Sequence, residues 1–146
     1  MSATLYNTQI LRLATSIPHH ARLNNPQATS ERRSPICGSR VTVDVILEND
    51  GRIATLGLEV RACALGQASA SLMAAHAVGR NLAELEDART SLTAFLSGDR
   101  DDPGEWPGLE LFGPARTHHA RHASIRLAFE AVAEAVERAT AVAQAQ

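Results

Sequence analysis

Two alternating apolar segments joined by Asn49-Asp50-Gly51 constrain this chain more than any other feature. From Val41 to Glu48, the residues Val41, Val43, Val45 and Leu47 point one way, and Thr42, Asp44 and Glu48 point the other. That period of two is the mark of a half-buried strand. Arg52 to Arg61 answers with Ala54, Leu56, Leu58 and Val60 on one face. Asn, Asp and Gly tolerate positive φ, so the connection reads as a tight turn and the pair as a β-hairpin.

Both cysteines flank this hairpin. Cys37 precedes its first strand in Ser34-Pro35-Ile36-Cys37-Gly38-Ser39-Arg40, and Cys63 follows its second in Arg61-Ala62-Cys63-Ala64-Leu65-Gly66. Antiparallel pairing brings the two to the same end of the sheet. A disulfide is the bland reading of such a pair. Against it, Met1 to Ile17 has neither the positive start nor the continuous apolar centre of a signal peptide. No apolar run approaches the roughly 18 residues a membrane span needs. The expectation is a cytoplasmic, reducing location in which both thiols are free.

The remaining segments are mostly helical in pattern. Leu5, Ile10, Leu13, Ala14 and Ile17 share a stripe that Pro18 ends. His19 to Pro35 is polar, holds two prolines and reads as a long loop. Ala64 to Val78 predicts a helix closed by Gly79. Asn81 caps a second, running to about Ser97. Gly98 to Pro114, with three prolines and the only Trp, reads as a loop or a partly packed flap. Ile125, Phe129, Val132, Val136 and Ala139 mark a long amphipathic helix from about His119 to Ala143. At 146 residues this order predicts one α+β domain, a small antiparallel sheet covered by helices on one side. Aromatic residues are only 3% of the chain, so Leu, Val, Ile and Ala must form the core.

Composition removes several kinds of function. The net charge of −2 gives no basic face for nucleic acid. All 14 cationic residues are Arg, which rules out a Schiff-base lysine and a P-loop lysine. Carboxylate pairs at catalytic spacing are lacking, and Ser69 and Ser71 have no nucleophile-elbow context.

Chemistry therefore concentrates on sulfur and imidazole. Cys63 stands at a strand-to-helix junction, where backbone N–H groups favour an anion. A thiolate binds soft metals and accepts sulfur, whereas a buried thiol is inert. Gly38 leaves room beside Cys37, which reads either as a ligand or as a small packed residue. His118, His119 and His122 cluster at the start of the last helix. His119 and His122, three apart, share a helical face there. They are either a solvated His-rich stretch or the imidazole half of a Cys2His or Cys2His2 metal site.

These segments resemble the U-type iron–sulfur cluster assembly scaffolds, the IscU, SufU and NifU N-terminal group. Pro35-Ile36-Cys37-Gly38-Ser39 is similar to that family's Pro-x-Cys-Gly-Asp stretch. Ala62-Cys63-Ala64-Leu65-Gly66-Gln67-Ala68-Ser69-Ala70-Ser71 is similar to its Gly-Cys-x-x-x-x-Ala-Ser-x-Ser helix start. The hairpin, its Asp-Gly turn and Gly79-Arg80 agree as well, so the likeness is good from about 35 to 98. A third family cysteine opens the last helix. Arg121-His122-Ala123-Ser124-Ile125 resembles that segment with His122 in the cysteine's place, and an alternative register over Arg116-Thr117-His118-His119 puts His119 there. This chain departs from the pattern at Ser39, where the family has aspartate, and at the third cysteine.

The resemblance implies a scaffold or carrier rather than a catalyst. Cys37, Cys63 and His122, with His119 as a further candidate, would hold iron or a [2Fe–2S] cluster. A cysteine desulfurase would supply sulfur, client apo-proteins would receive the cluster, and neither nucleic acid nor membrane would be involved. In the family the aspartate is tied to cluster release and the third cysteine to receiving sulfur; a neutral imidazole cannot carry a persulfide. The less negative ligand set suits zinc. The alternatives are a zinc-dependent, sulfurtransferase-like sulfur acceptor and a regulatory paralogue without metal.

Overall fold

The computed structural model describes residues 5–35 and 38–145. Helix α1 spans Thr8–Ala14 and is followed by strands β1, Ala28–Arg33, β2, Arg40–Leu47, and β3, Ile53–Arg61. Helices α2, Ala64–Ala77, and α3, Leu82–Ser97, lead to two 3-10 segments, Leu109–Thr117 and His119–Arg121, and then to α4, His122–Gln144. The α+β architecture expected from the sequence is the one observed. The described strands form an antiparallel sheet in the order β1-β2-β3, with helices on one side.

The hairpin forms where the alternation placed it. Val41 pairs with Val60, Val43 with Leu58 and Val45 with Leu56, and all six are buried. A bulge between Ile46 and Leu47 then shifts the register, so Leu47 pairs with Ile53. Ile53 is therefore buried, while Ala54, expected on the core face, is only half-buried.

β1 lies within the segment expected to be a loop. It pairs with β2 from Ala28 opposite Val45 to Arg33 opposite Arg40. Its core-facing residues, Ala28, Ser30 and Arg32, are small or polar, so no hydrophobic alternation announces it. They dock on α4 through polar contacts instead. The buried Ser30 hydroxyl donates to the Glu134 carboxylate, and Arg32 pairs with Glu134 at 3.2 Å and with Glu130 at 3.8 Å. The Ser30 hydroxyl holds Glu134 below the usual carboxylate range, helped by Arg138 and Arg32 and opposed by burial.

α4 lays Ile125, Phe129, Val132 and Val136 on the sheet, and each such side chain contributes about 1.5–3 kcal/mol of burial. α2 packs between α1 and α4 and is buried almost all round through Leu65, Ala68, Leu72, Met73 and Ala77. Its run of alanines and serines permits the close approach on both sides. α1 is shorter than its stripe suggested. The Asn7 side chain caps it by accepting from the Ile10 N–H at 2.9 Å. Asn81 and Glu84 close a reciprocal capping box at the start of α3. The stretch expected to be a loop or flap holds the start of the first 3-10 segment, which runs on to Thr117 and is anchored by buried Leu109 and Phe112. Just before it, Trp106 is buried, donating from Nε1 to the Leu72 carbonyl at 2.9 Å.

The opposite face of the sheet is covered locally by residues 21–23. Asp44, fully buried in mid-sheet, accepts from Arg22 Nε at 2.7 Å, from the Leu23 N–H at 3.0 Å and from the Thr29 hydroxyl. A Cβ on Gly57 would lie 2.5 Å from the Ala21 carbonyl oxygen, so only glycine lets this segment cross the sheet. None of the described helices is long and apolar enough to cross a membrane.

Candidate functional site

The site lies at the end of the sheet where β2 begins and β3 ends. Arg40 and Arg61 stand opposite each other, so Ser39 and Ala62 leave the sheet side by side. The Ser34 N–H donates to the Ser39 carbonyl at 2.8 Å, and the Gly38 N–H to the Ser34 carbonyl at 3.0 Å, tying together the ends of the β1–β2 connection. Cys37 lies outside the described residues. Gly38 has φ +71, a conformation glycine adopts without steric cost.

Cys63 is the N-cap residue of α2, with extended backbone and no side-chain cap bond. It is half-buried. The same corner receives the head of α4. The Ser124 hydroxyl lies 3.3 Å from the Cys63 sulfur and 3.1 Å from the Ser39 hydroxyl. Ser124 is 1% exposed and Ser39 3%. The Ser69 hydroxyl donates to the Ile125 carbonyl, which fixes α4 against α2 at this level. Gly66 makes the approach possible. A Cβ there would stand 2.5 Å from the Ser124 hydroxyl oxygen and 2.7 Å from the Ala62 Cβ. Three segments of the chain thus meet at the Ser124 hydroxyl.

His122 opens α4 and is 6% exposed. Its Nε2 is 2.9 Å from the Ala115 carbonyl oxygen. A carbonyl only accepts, so Nε2 carries the proton, and in the neutral ring Nδ1 keeps its lone pair. Metal-binding histidines share this arrangement, in which the second nitrogen is held by a backbone carbonyl or a carboxylate. The His119 ring lies 5.1 Å from that of His122. Among the described residues no three His, Cys, Asp or Glu side chains gather into a metal cage, and Cys37 stands outside that set. Of the expected site residues, His119 adjoins His122, and Cys63 is joined to the head of α4 through Ser124.

The same end of the sheet carries a row of arginines. Arg33, Arg40 and Arg61 form one transverse row across β1, β2 and β3, two residues before Cys63. Glu31 and Glu59 occupy the next row, and Arg40 reaches them at 3.9 Å and 3.6 Å. Arg33, hydrogen-bonded to Glu31 at 2.9 Å, is the main cause of that carboxyl lying below its usual range. The joint role of Ser39 and Ser124 escapes sequence reasoning. The one available signal is a hydroxyl on the apolar stripe of α4, two residues after His122.

The donor set fits a soft, sulfur-seeking ion. Thiolate and imidazole select such metals.

Comparison with known proteins bears on the family and the fold. The NifU-like N terminal domain family matches residues 5–101. The chain is 25% identical over 134 residues to the iron–sulfur cluster assembly scaffold protein IscU of Thermotoga maritima, covering 92% of this chain and 94% of that one. Among solved structures, the N-terminal part of a nitrogen-fixing NifU-like protein from Brucella abortus superposes with a TM-score of 0.87. It is 36% identical, with 94% of this chain and 95% of that one covered. A candidate SUF-system iron–sulfur cluster assembly scaffold from Fervidobacterium islandicum AW-1 shares the fold, with a TM-score of 0.83 at 19% identity. That match covers 90% of this chain and 96% of the other.

Proposed function

We propose, since the chain belongs to the NifU-like N-terminal domain family of iron–sulfur cluster assembly scaffold proteins, that it is a single-domain carrier of iron or a [2Fe–2S] cluster. Cys37, Cys63 and the Nδ1 of His122 are the ligands in this reading, with His119 the candidate for a fourth. The cluster is cargo, received with sulfur from a cysteine desulfurase and passed to client apo-proteins in the cytoplasm. The chain binds and releases rather than catalyses.

One observation carries the reading. Cys63 sits half-buried at the sheet end, hydrogen-bonded to the head of α4, which in turn touches Ser39 two residues beyond Cys37. Sequence distance alone gives no reason for these three segments to meet. The tautomer of His122 adds to it, because the Ala115 carbonyl leaves Nδ1 as the nitrogen available to a metal.

A second reading rests on Ser39, which stands where the resemblance puts an aspartate. Ser39 supplies a neutral hydroxyl there, and two thiolates with an imidazole form a set that Zn²⁺ accepts readily. The protein would then be a zinc-tuned sulfur acceptor.

Anaerobic reconstitution with ferrous iron and sulfide separates the two readings. The carrier reading expects visible sulfur-to-iron charge-transfer absorption that is lost in Cys63→Ala. A colourless chain that retains zinc through the same treatment would favour the sulfur acceptor.

A further inference from the structure

The Ser124 hydroxyl bridges two other side chains. Another hydroxyl of α4, that of Thr140, bonds back to its own helix at the Val136 carbonyl. Ser124 instead reaches out of its helix, to Cys63 at 3.3 Å and Ser39 at 3.1 Å. It does so from a fully buried position, in a space that any side chain on Gly66 would close.

We propose that Ser124 is the positioning residue of Cys63, donating a hydrogen bond to its sulfur while accepting one from Ser39. The inference rests on Cys63 being the reactive or metal-bound sulfur of the preceding section. The direction of the chain follows from the chemistry. A thiolate or metal-bound sulfur has no proton, so it only accepts, and the Ser124 O–H must point at it. The Ser124 oxygen is then left with lone pairs for the Ser39 O–H. Ser39 thereby aims Ser124, and Ser124 aims Cys63. Two consequences follow. The sulfur is held in one rotamer facing the head of α4. Its lone-pair density is also drawn toward the hydroxyl, and hydrogen bonds to sulfur ligands tune the metal they hold.

The test uses the full chain and Co²⁺ as probe, together with the Raman S–H band of metal-free protein on a Cys37→Ser background, where Cys63 is the remaining thiol. Loss of the hydrogen bond raises the energy of the sulfur electrons. In Ser124→Ala the sulfur-to-cobalt charge-transfer band therefore moves to longer wavelength; in the metal-free protonated thiol, where the S–H donates to the Ser124 oxygen instead, the S–H band moves toward that of a thiol without a partner. Ser124→Thr restores both, and Ser39→Ala moves both part of the way. A purely structural serine would leave both bands in place while changing the melting temperature; unchanged bands in Ser124→Ala overturn the proposal. If Co²⁺ gives no charge-transfer band with the unaltered chain, the metal reading falls. The S–H band still decides the role of Ser124: a shift in Ser124→Ala supports it and a fixed band removes it.

Discussion

The Nε2 of His122 stands 2.9 Å from the carbonyl oxygen of Ala115, a residue of the first 3-10 segment. That bond joins the head of α4 to the segment before it and selects one tautomer of a nearly buried ring. Heteronuclear NMR of the ring should show Nε2 protonated at neutral pH, and zinc should shift the Nδ1 resonance. His122→Ala removes one of two donors to the Ala115 carbonyl, which still accepts from the His118 N–H at 2.9 Å, and is expected to cost about 0.5–1.5 kcal/mol in chemical denaturation. A Nδ1-protonated ring would remove His122 from the proposed ligand set.

Gly66 and Ser124 form a coupled pair. Gly66→Ala places a methyl group 2.5 Å from the Ser124 hydroxyl oxygen and 2.7 Å from the Ala62 Cβ. We expect a destabilisation of about 1–3 kcal/mol from overpacking. Ser124→Ala in the same chain removes the first clash and leaves the second, so it should recover part of the loss. A double-mutant cycle should return a favourable coupling of about 0.5–3 kcal/mol. Additive effects would mean that α2 and α4 move apart at no cost, against the close contact described above.

Asp44 gives the fold a definite acid sensitivity. Burial alone would raise its carboxyl, but the bonds from Arg22, Thr29 and the Leu23 N–H outweigh burial and hold it below its ordinary value of 3.8. A carboxyl depressed in the folded state contributes stability that is fully present above the unfolded value and lost as pH falls through the folded one. Part of the loss of stability below about pH 4 should therefore disappear in Asp44→Asn. At neutral pH that variant should be less stable by about 1–3 kcal/mol, because the Arg22 guanidinium is half-exposed and rehydrates. Urea denaturation at stepped pH measures both effects.

Much of this architecture is legible in the sequence, and what is not has physical causes. The hairpin shows because Val41, Val43, Val45, Leu56, Leu58 and Val60 bury one apolar face. The C-terminal helix shows because Ile125, Phe129, Val132 and Val136 recur at helical spacing. β1 does not show because Ser30 and Arg32 meet Glu134 and Glu130 on α4, so its inward face is polar. The exchange of Ile53 for Ala54 on the core face comes from a bulge that a strict period of two cannot express. In the site, the placing of Cys63 at a helix start and of the imidazoles at the head of α4 was legible from local pattern. The meeting of Ser39, Ser124 and Cys63 was not. It depends on contacts 61 and 85 residues apart in sequence, set by how α2 packs on α4.

The metal content of the chain purified without oxygen tests the account at its centre, with Cys37→Ala and Cys63→Ala prepared alongside. The account predicts iron, with sulfide, in the unaltered chain and loss of most of it in each variant, while thermal unfolding shows the variants still folded. Iron at the same level in Cys63→Ala, or none in the unaltered chain under the same conditions, would contradict it.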